Sequence, residues 1–139
     1  MEKSLVLIKP DATQRKLAGA IIARLEKQGL RLVAAKMLHM DKALAQHHYA
    51  VHVDKPFFNN LVNYITSAPI IALVFEGEKA VAVIRKIVGA TDPAKAEAGT
   101  IRGDFGIDIE RNTVHSSDAV ETAEEEIKLF FSEKEIFSY

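Results

Sequence analysis

The segment RNTVHSSDA, Arg111 to Ala119, gathers an amide, hydroxyls, a carboxylate and one imidazole between two apolar stretches. An imidazole can act as base, metal ligand or nucleophile, because near neutral pH a useful fraction is unprotonated. A metal needs several ligands. His115 is far in sequence from His39, His47, His48 and His52, and the chain has neither a cysteine nor an H-E-x-x-H pattern. The expectation is therefore no protein metal site at His115. His48 and His52, spaced like neighbours on a helix, would make a weak metal pair; Val51 and Val53 beside them favour partial burial or plain surface, and no function is assigned to them. Ser116 and Ser117 adjoin the histidine, but there is no G-x-S-x-G elbow, and adjacency in sequence is not triad geometry.

Phosphate chemistry fits better. Lys9, Arg85, Thr91 and Arg102 fall at element ends or in a long connection, where side chains can converge on an anion. The P-loop pattern is absent, and Asp104-Phe105-Gly106 stands without the other protein-kinase motifs, so its likeness to theirs is chance. A histidine nucleophile offers another strategy: its N–P bond is energetic enough to hand the phosphoryl group on, which divides transfer into two similar half-reactions.

These residues need a scaffold. Ser4–Ile8 is β-rich and stops at Lys9-Pro10-Asp11, where proline removes a ladder donor and aspartate favours a turn, so Lys9 sits at a strand end. Leu17, Ile21 and Leu25 recur at helical spacing before Gly29, a fitting C′ residue. Arg31–Met40 reads as a strand, followed by a short helix capped by Asp41. Phe57, Leu61 and Ile65 share one helical face, and Ile70–Phe75 forms a third strand. A helix from Lys79 to Val88 buries Val81, Ile84 and Val88 and turns Arg85 outward, ending at Gly89. The stretch from Gly89 to Arg111 has weak periodicity, and its length and composition favour a functional connection. A short extended piece, Asn112–His115, precedes a last helix in which Asp118 and Glu121 have capping-box spacing and Val120, Ala123, Ile127 and Phe130 form the buried stripe. The order implies an α+β fold of the ferredoxin-like split βαβ kind, a four-stranded antiparallel sheet flanked by helices.

The 139 residues fit one domain, residues 1–139, with 48% hydrophobic and 27% charged residues, as in an ordinary globular protein. With 18 basic against 19 acidic residues, the net charge of -1 gives no support to nucleic acid or an anionic membrane as partner. The apolar run Leu5–Ile8 is too short for a signal sequence or a span, which leads to a cytoplasmic reading.

Over essentially its whole length the chain resembles nucleoside diphosphate kinases. The blocks IKPD (Ile8–Asp11), HHYAVHVDKPFF (His47–Phe58), GATDPAKAEAGTIRGDF (Gly89–Phe105) and RNTVHSSD (Arg111–Asp118) are similar to that family's motifs in order and spacing. The resemblance implies that His115 is the phosphorylated nucleophile, that Ser117 and Glu126 hold its ring, and that Tyr49 stands beside the site. It implies further that Lys9 and Asn112 contact ribose and phosphates, that Arg85, Thr91 and Arg102 clamp the distal phosphates, and that Phe57 stacks on the base. Stacking accepts any base, so the implied substrates are nucleoside tri- and diphosphates of every base and their deoxy forms. Mg²⁺ would arrive on the nucleotide's phosphates with no dedicated protein cage. The family implies a homo-oligomer, a hexamer favoured over a tetramer. One departure stands out: Ser116 occupies a position that is most often glycine in the family, and a backbone requiring positive φ there would cost on the order of 1 kcal/mol. Two rivals use the same residues differently. A phosphohistidine carrier would need His115 but not a base platform at Phe57; a non-enzymatic interaction domain on the same fold would be expected to have lost His115, Lys9 or Arg102.

Overall fold

A computed structural model describes residues 1–139. Four strands, β1 (Glu2–Ile8), β2 (Arg31–Leu38), β3 (Ile70–Gly77) and β4 (Val114–Ser116), form one sheet in the order β2-β3-β1-β4, every neighbouring pair antiparallel. The helices are α1 (Pro10–Gln14), α2 (Ala18–Glu26), α3 (Lys42–His48), α4 (Phe58–Ile65), α5 (Ala80–Val88), α6 (Ile101–Phe105) and α7 (Val120–Phe130). This is the expected interlocked pair of βαβ units: β3 lies between β1 and β2, and β1 between β3 and β4.

The pleat divides β1 between two cores. Leu5 and Leu7 point to one face, packed with Ile127 and Phe130 of α7 and with Ala45 of α3. Val6 and Ile8 point to the other, packed with Ile21 and Leu25 of α2 and with Ile84 and Val88 of α5. No polar side chain interrupts β1 from Leu5 to Ile8, as a central strand covered on both faces requires. No helix is long and apolar enough to cross a membrane.

Local chemistry explains most element boundaries. Asp41 caps α3 as expected, its carboxylate accepting the Leu44 N–H at 2.8 Å. At Lys9-Pro10-Asp11 the chain does not merely turn: Pro10 takes the first position of α1, where its missing N–H costs nothing. Strand β2 ends at Leu38, two residues short of the expected Met40, and α5 begins at Ala80 because Lys79 occupies the left-handed region at φ 54°. The capping box expected from Asp118 and Glu121 does not form. Ala119 is the N-cap residue, in extended geometry, and no side chain bonds the first turn of α7. The long connection after Gly89 holds a 3-10 turn at Pro93–Lys95 and the short helix α6, capped by Thr100, whose hydroxyl accepts the Gly103 N–H at 3.0 Å.

Candidate active site

His115 is carried by β4 and pairs in register with Leu7 of β1. Lys9 is two residues beyond Leu7, so the alternation of side chains turns His115 and Lys9 toward the same face, the one covered by α3 and α7. That face supplies Glu126 from α7. His115 Nε2 lies 2.8 Å from Glu126 Oε2, and the Ser117 hydroxyl donates to Glu126 Oε1 at 2.6 Å. Burial pushes the Glu126 carboxyl upward, but the His115 hydrogen bond and charge and the Ser117 hydroxyl outweigh it and hold the group below the usual glutamate value. An ionised carboxylate only accepts, so Nε2 carries a proton, and in the neutral ring the lone pair is then on Nδ1. Nδ1 has no hydrogen-bond partner in the protein, and the His115 side chain is 26% exposed.

The cations gather around Asn112. Lys9, almost fully buried, donates to Asn112 Oδ1 at 2.9 Å and to the Glu110 carbonyl at 3.2 Å. Burial first, then the charge of Arg102, lowers Lys9 to about 8. The Asn112 amide donates to the carbonyls of Thr91 at 2.9 Å and Ile109 at 3.1 Å, which ties the long connection to β4. Arg102 spans the same junction, donating to the carbonyls of Asn112 at 3.3 Å, Gly89 at 3.2 Å and Val114 at 2.7 Å. Burial and the nearby Arg85 lower it to about 10. Two guanidiniums that repel each other without a paired acid leave a local positive charge that an anion would offset. Arg85 makes no ion pair and is exposed on α5, as is Thr91 after Gly89.

An aromatic row leads away from the imidazole. His48 meets the His115 ring edge-on at 4.6 Å, Tyr49 follows at 4.7 Å, His52 at 6.5 Å, and Phe57 at 5.6 Å from His52. Tyr49 is buried, which pushes its phenol up. Phe57 is 44% exposed at the N-cap of α4, so its ring is available to a ligand.

The structure corrects one expectation and resolves another. His115 does not stand apart from the other histidines: α3 lays His48 against it, with a side chain only 1% exposed and Nδ1 3.7 Å from Glu126 Oε2. Burial, then the proximity of His115, depresses His48 to about 3, so this approach is a neutral imidazole beside a carboxylate and not an ion pair. Ser116 sits in β4 opposite Val6 and has no positive φ, so it carries none of the strain a glycine would relieve. Thr113 instead takes φ 73°. Its N–H donates to Asp11 Oδ2 at 3.1 Å, while the Tyr64 hydroxyl donates to Asp11 Oδ1 at 2.5 Å and accepts the Asp11 N–H at 2.8 Å. Asp11 and Tyr64 thus brace the bend that enters β4. Sequence reading assigned Asp11 only a turn-forming role and did not single out Tyr64, because their contact spans 53 residues of chain.

An α+β sheet that sets a carboxylate-held imidazole beside unneutralised cations is the frame of a phosphotransferase. The family model described as nucleoside diphosphate kinase matches residues 2–136, and the chain belongs to that family, whose function is phosphotransfer between nucleotides. It is 60% identical over 139 residues to the nucleoside diphosphate kinase of Methanothermobacter thermautotrophicus, covering all of this chain and 93% of that one. It is 58% identical to that of Dehalococcoides mccartyi, covering 100% and 98%. Among solved structures, a halophilic nucleoside diphosphate kinase from Halobacterium salinarum in complex with CDP superposes with a TM-score of 0.97 at 46% identity, covering 99% of this chain and 92% of that one.

Proposed function

We propose that the chain moves the terminal phosphoryl group of a nucleoside triphosphate to a nucleoside diphosphate through a phosphorylated His115, with residues 1–139 acting as one domain. The observation that carries this reading is the 2.8 Å contact from His115 Nε2 to Glu126, which assigns the lone pair of the neutral ring to Nδ1 on a partly exposed side chain. The Nδ1 lone pair attacks the terminal phosphorus; an N–P bond forms, the P–O bond to the bridging oxygen breaks, and the departing diphosphate keeps that electron pair. Glu126 stabilises the charge that develops on the ring, and Ser117 holds Glu126 in place. In the second half-reaction a terminal oxygen of an acceptor diphosphate attacks the same phosphorus, and Nδ1 leaves with its lone pair.

The remaining roles are those the family resemblance implies. Lys9 and Asn112 serve ribose and phosphates, Arg85, Thr91 and Arg102 the distal phosphates, Tyr49 flanks the reacting centre, and Phe57 stacks on the base. Mg²⁺ comes as part of the substrate, bound by the nucleotide's phosphates. The only cluster of three adjacent ligand-type side chains is two imidazoles and one carboxylate, which is not the all-oxygen set that Mg²⁺ prefers. The exposed ring of Phe57 favours nucleotide substrates over a carrier role.

Homo-oligomerisation, as a hexamer in preference to a tetramer, belongs to the same proposal. It is supported by the outer strand β2, which leaves Met37 exposed, and light scattering tests it. The chemistry is tested by incubating the protein with γ-labelled ATP and Mg²⁺ and locating the label. Acid-labile, base-stable label on His115, absent from His115→Ala, is expected; acid-stable label on Ser116 or Ser117 would overturn the assignment.

A further inference from the structure

We propose that His48 Nδ1, His115 Nε2 and Glu126 Oε2 form a binding site for zinc that switches the nucleophile off. The three donors come from α3, β4 and α7 and meet around one carboxylate oxygen, which lies 2.8 Å from the His115 nitrogen and 3.7 Å from the His48 nitrogen. Bonds of about 2.0–2.1 Å at tetrahedral angles set donors roughly 3.3 Å apart, between those two separations. No two ligand atoms of the cluster are more than 4.8 Å apart, so side-chain movements on the order of 1 Å suffice to bring all three to one ion.

His48 is the independent pointer to a ligand. Its side chain is 1% exposed, yet neither ring nitrogen has a hydrogen-bond partner. A buried imidazole with both nitrogens unsatisfied is costly, and a metal bond would satisfy one of them. Two neutral imidazoles and a carboxylate suit a cation of borderline softness such as Zn²⁺ and leave a fourth position open; Mg²⁺, which demands oxygen, is refused. Glu126 is the anion that favours the ion, while Lys9, whose charge reaches His48, opposes it.

The consequence for reactivity follows from the tautomer. The metal takes the Nε2 lone pair, the ring proton moves through solvent to Nδ1, and the net proton count of the ring is unchanged. Nδ1 then has no lone pair for phosphorus. Binding of the metal stands on the side chains alone; the switching effect rests on Nδ1 being the nucleophile proposed above.

The nucleotide-free protein is titrated with Zn²⁺ against a chromophoric indicator and, separately, with Co²⁺, whose visible absorption reports low-coordinate nitrogen and oxygen ligation. One ion per chain is expected. His48→Leu and Glu126→Gln should each weaken binding at least about tenfold, the scale on which changes to a metal site are felt, and His52→Ala should leave it intact. Near-ultraviolet circular dichroism confirms that the variants are folded. Unchanged affinity in His48→Leu, loss in His52→Ala, or no binding to the wild type at micromolar free zinc would each overturn the site. In a second arm, Zn²⁺ should slow labelling of the wild-type protein by Mg·ATP at least about tenfold while leaving His48→Leu at its own zinc-free rate. Zinc bound to the wild type without that slowing would overturn the switch. Failure of the wild type to label even without zinc would instead count against the phosphohistidine reading, with the Co²⁺ spectrum still deciding the metal site.

Discussion

At the scale of single residues, the site depends on which nitrogen of one ring carries a proton. Glu126 decides this as an ionised acceptor, and the amide of Glu126→Gln retains an acceptor oxygen but loses the charge that stabilises the ring as it bonds phosphorus. The expected result is a fall in kcat of roughly 10–100-fold, typical for the partner that orients a reactive histidine, with KM for the nucleotide little changed. Steady-state kinetics read it, and a pure rise in KM would mean that Glu126 only shapes the pocket. Lys9 carries a second prediction. Its burial lowers the ammonium from 10.5 to about 8, so between those values the unfolded chain binds more protons than the folded one. Stability therefore gains with rising pH across that window and loses the gain as pH falls through about 8. A bound phosphate reverses the preference, because it favours the charged ammonium. Diphosphate affinity should weaken as pH rises above about 8, accompanied by proton uptake on binding. Calorimetry in buffers of different ionisation enthalpy measures that uptake. Lys9→Met should abolish both the uptake and the pH-dependent gain in stability; their persistence would assign them to another group.

At the scale of elements, α6 is the part whose packing most directly places a cation. Arg102 is followed by Gly103, where an added Cβ would stand 2.0 Å from the Glu97 carbonyl oxygen and 2.8 Å from the Thr100 hydroxyl that caps the helix. Neither neighbour can withdraw without opening the turn, so Gly103→Ala should cost about 1–3 kcal/mol in urea unfolding. It should also displace Arg102, and a shift of even 1 Å in a positioning group can cost roughly a hundredfold in turnover. Gly19→Ala in α2, where nothing lies within 4 Å of the new carbon, is the neutral comparison. The same elements explain what could be read in the sequence. Apolar runs and helical stripes located β1, β2, β3, α2, α4, α5 and α7, because burial on one or two faces writes a period into the residues, and a polar cap residue marked the start of α3 at Asp41. The extended piece expected at Asn112–His115 is β4 at Val114–Ser116, with Thr113 turned to φ 73°. The helix α6, five residues long with a glycine inside, is too short to write one. Asp118 and Glu121 had the right spacing, yet Ala119 took the capping position, since spacing does not report which residue leaves the extended conformation last. His48 and His115 are brought together only when α3 crosses the sheet, and Asp11 meets Tyr64 across 53 residues of chain. Such contacts are set by the packing of layers and leave no local signal. The family resemblance supplied the expected roles of Ser117 and Glu126; periodicity alone would have assigned Glu126 to a solvated helix face.

At the scale of the whole molecule, the arrangement provides for one nucleotide at a time. The sheet itself carries one imidazole, His115, one group of cations surrounds Asn112, and one aromatic row runs out to Phe57. If donor triphosphate and acceptor diphosphate each use that base platform and those cations, as proposed, they must use them in turn, and the phosphoryl group has to wait on the protein between visits. The kinetic consequence is a ping-pong pattern. Mixing the protein with ATP and Mg²⁺ alone should release a burst of ADP approaching one per chain and then almost stop. Addition of GDP should discharge the phosphorylated protein and yield GTP, and CDP or UDP should do so within about two orders of magnitude, because stacking differences amount to only ~1–3 kcal/mol per base. Phe57→Ala should weaken all of them together, since its ring reads no base edge. Initial-rate lines for varied donor and acceptor should run parallel in double-reciprocal form. Intersecting lines, or no ADP released until an acceptor is present, would mean that both nucleotides occupy the protein at once and that transfer bypasses His115.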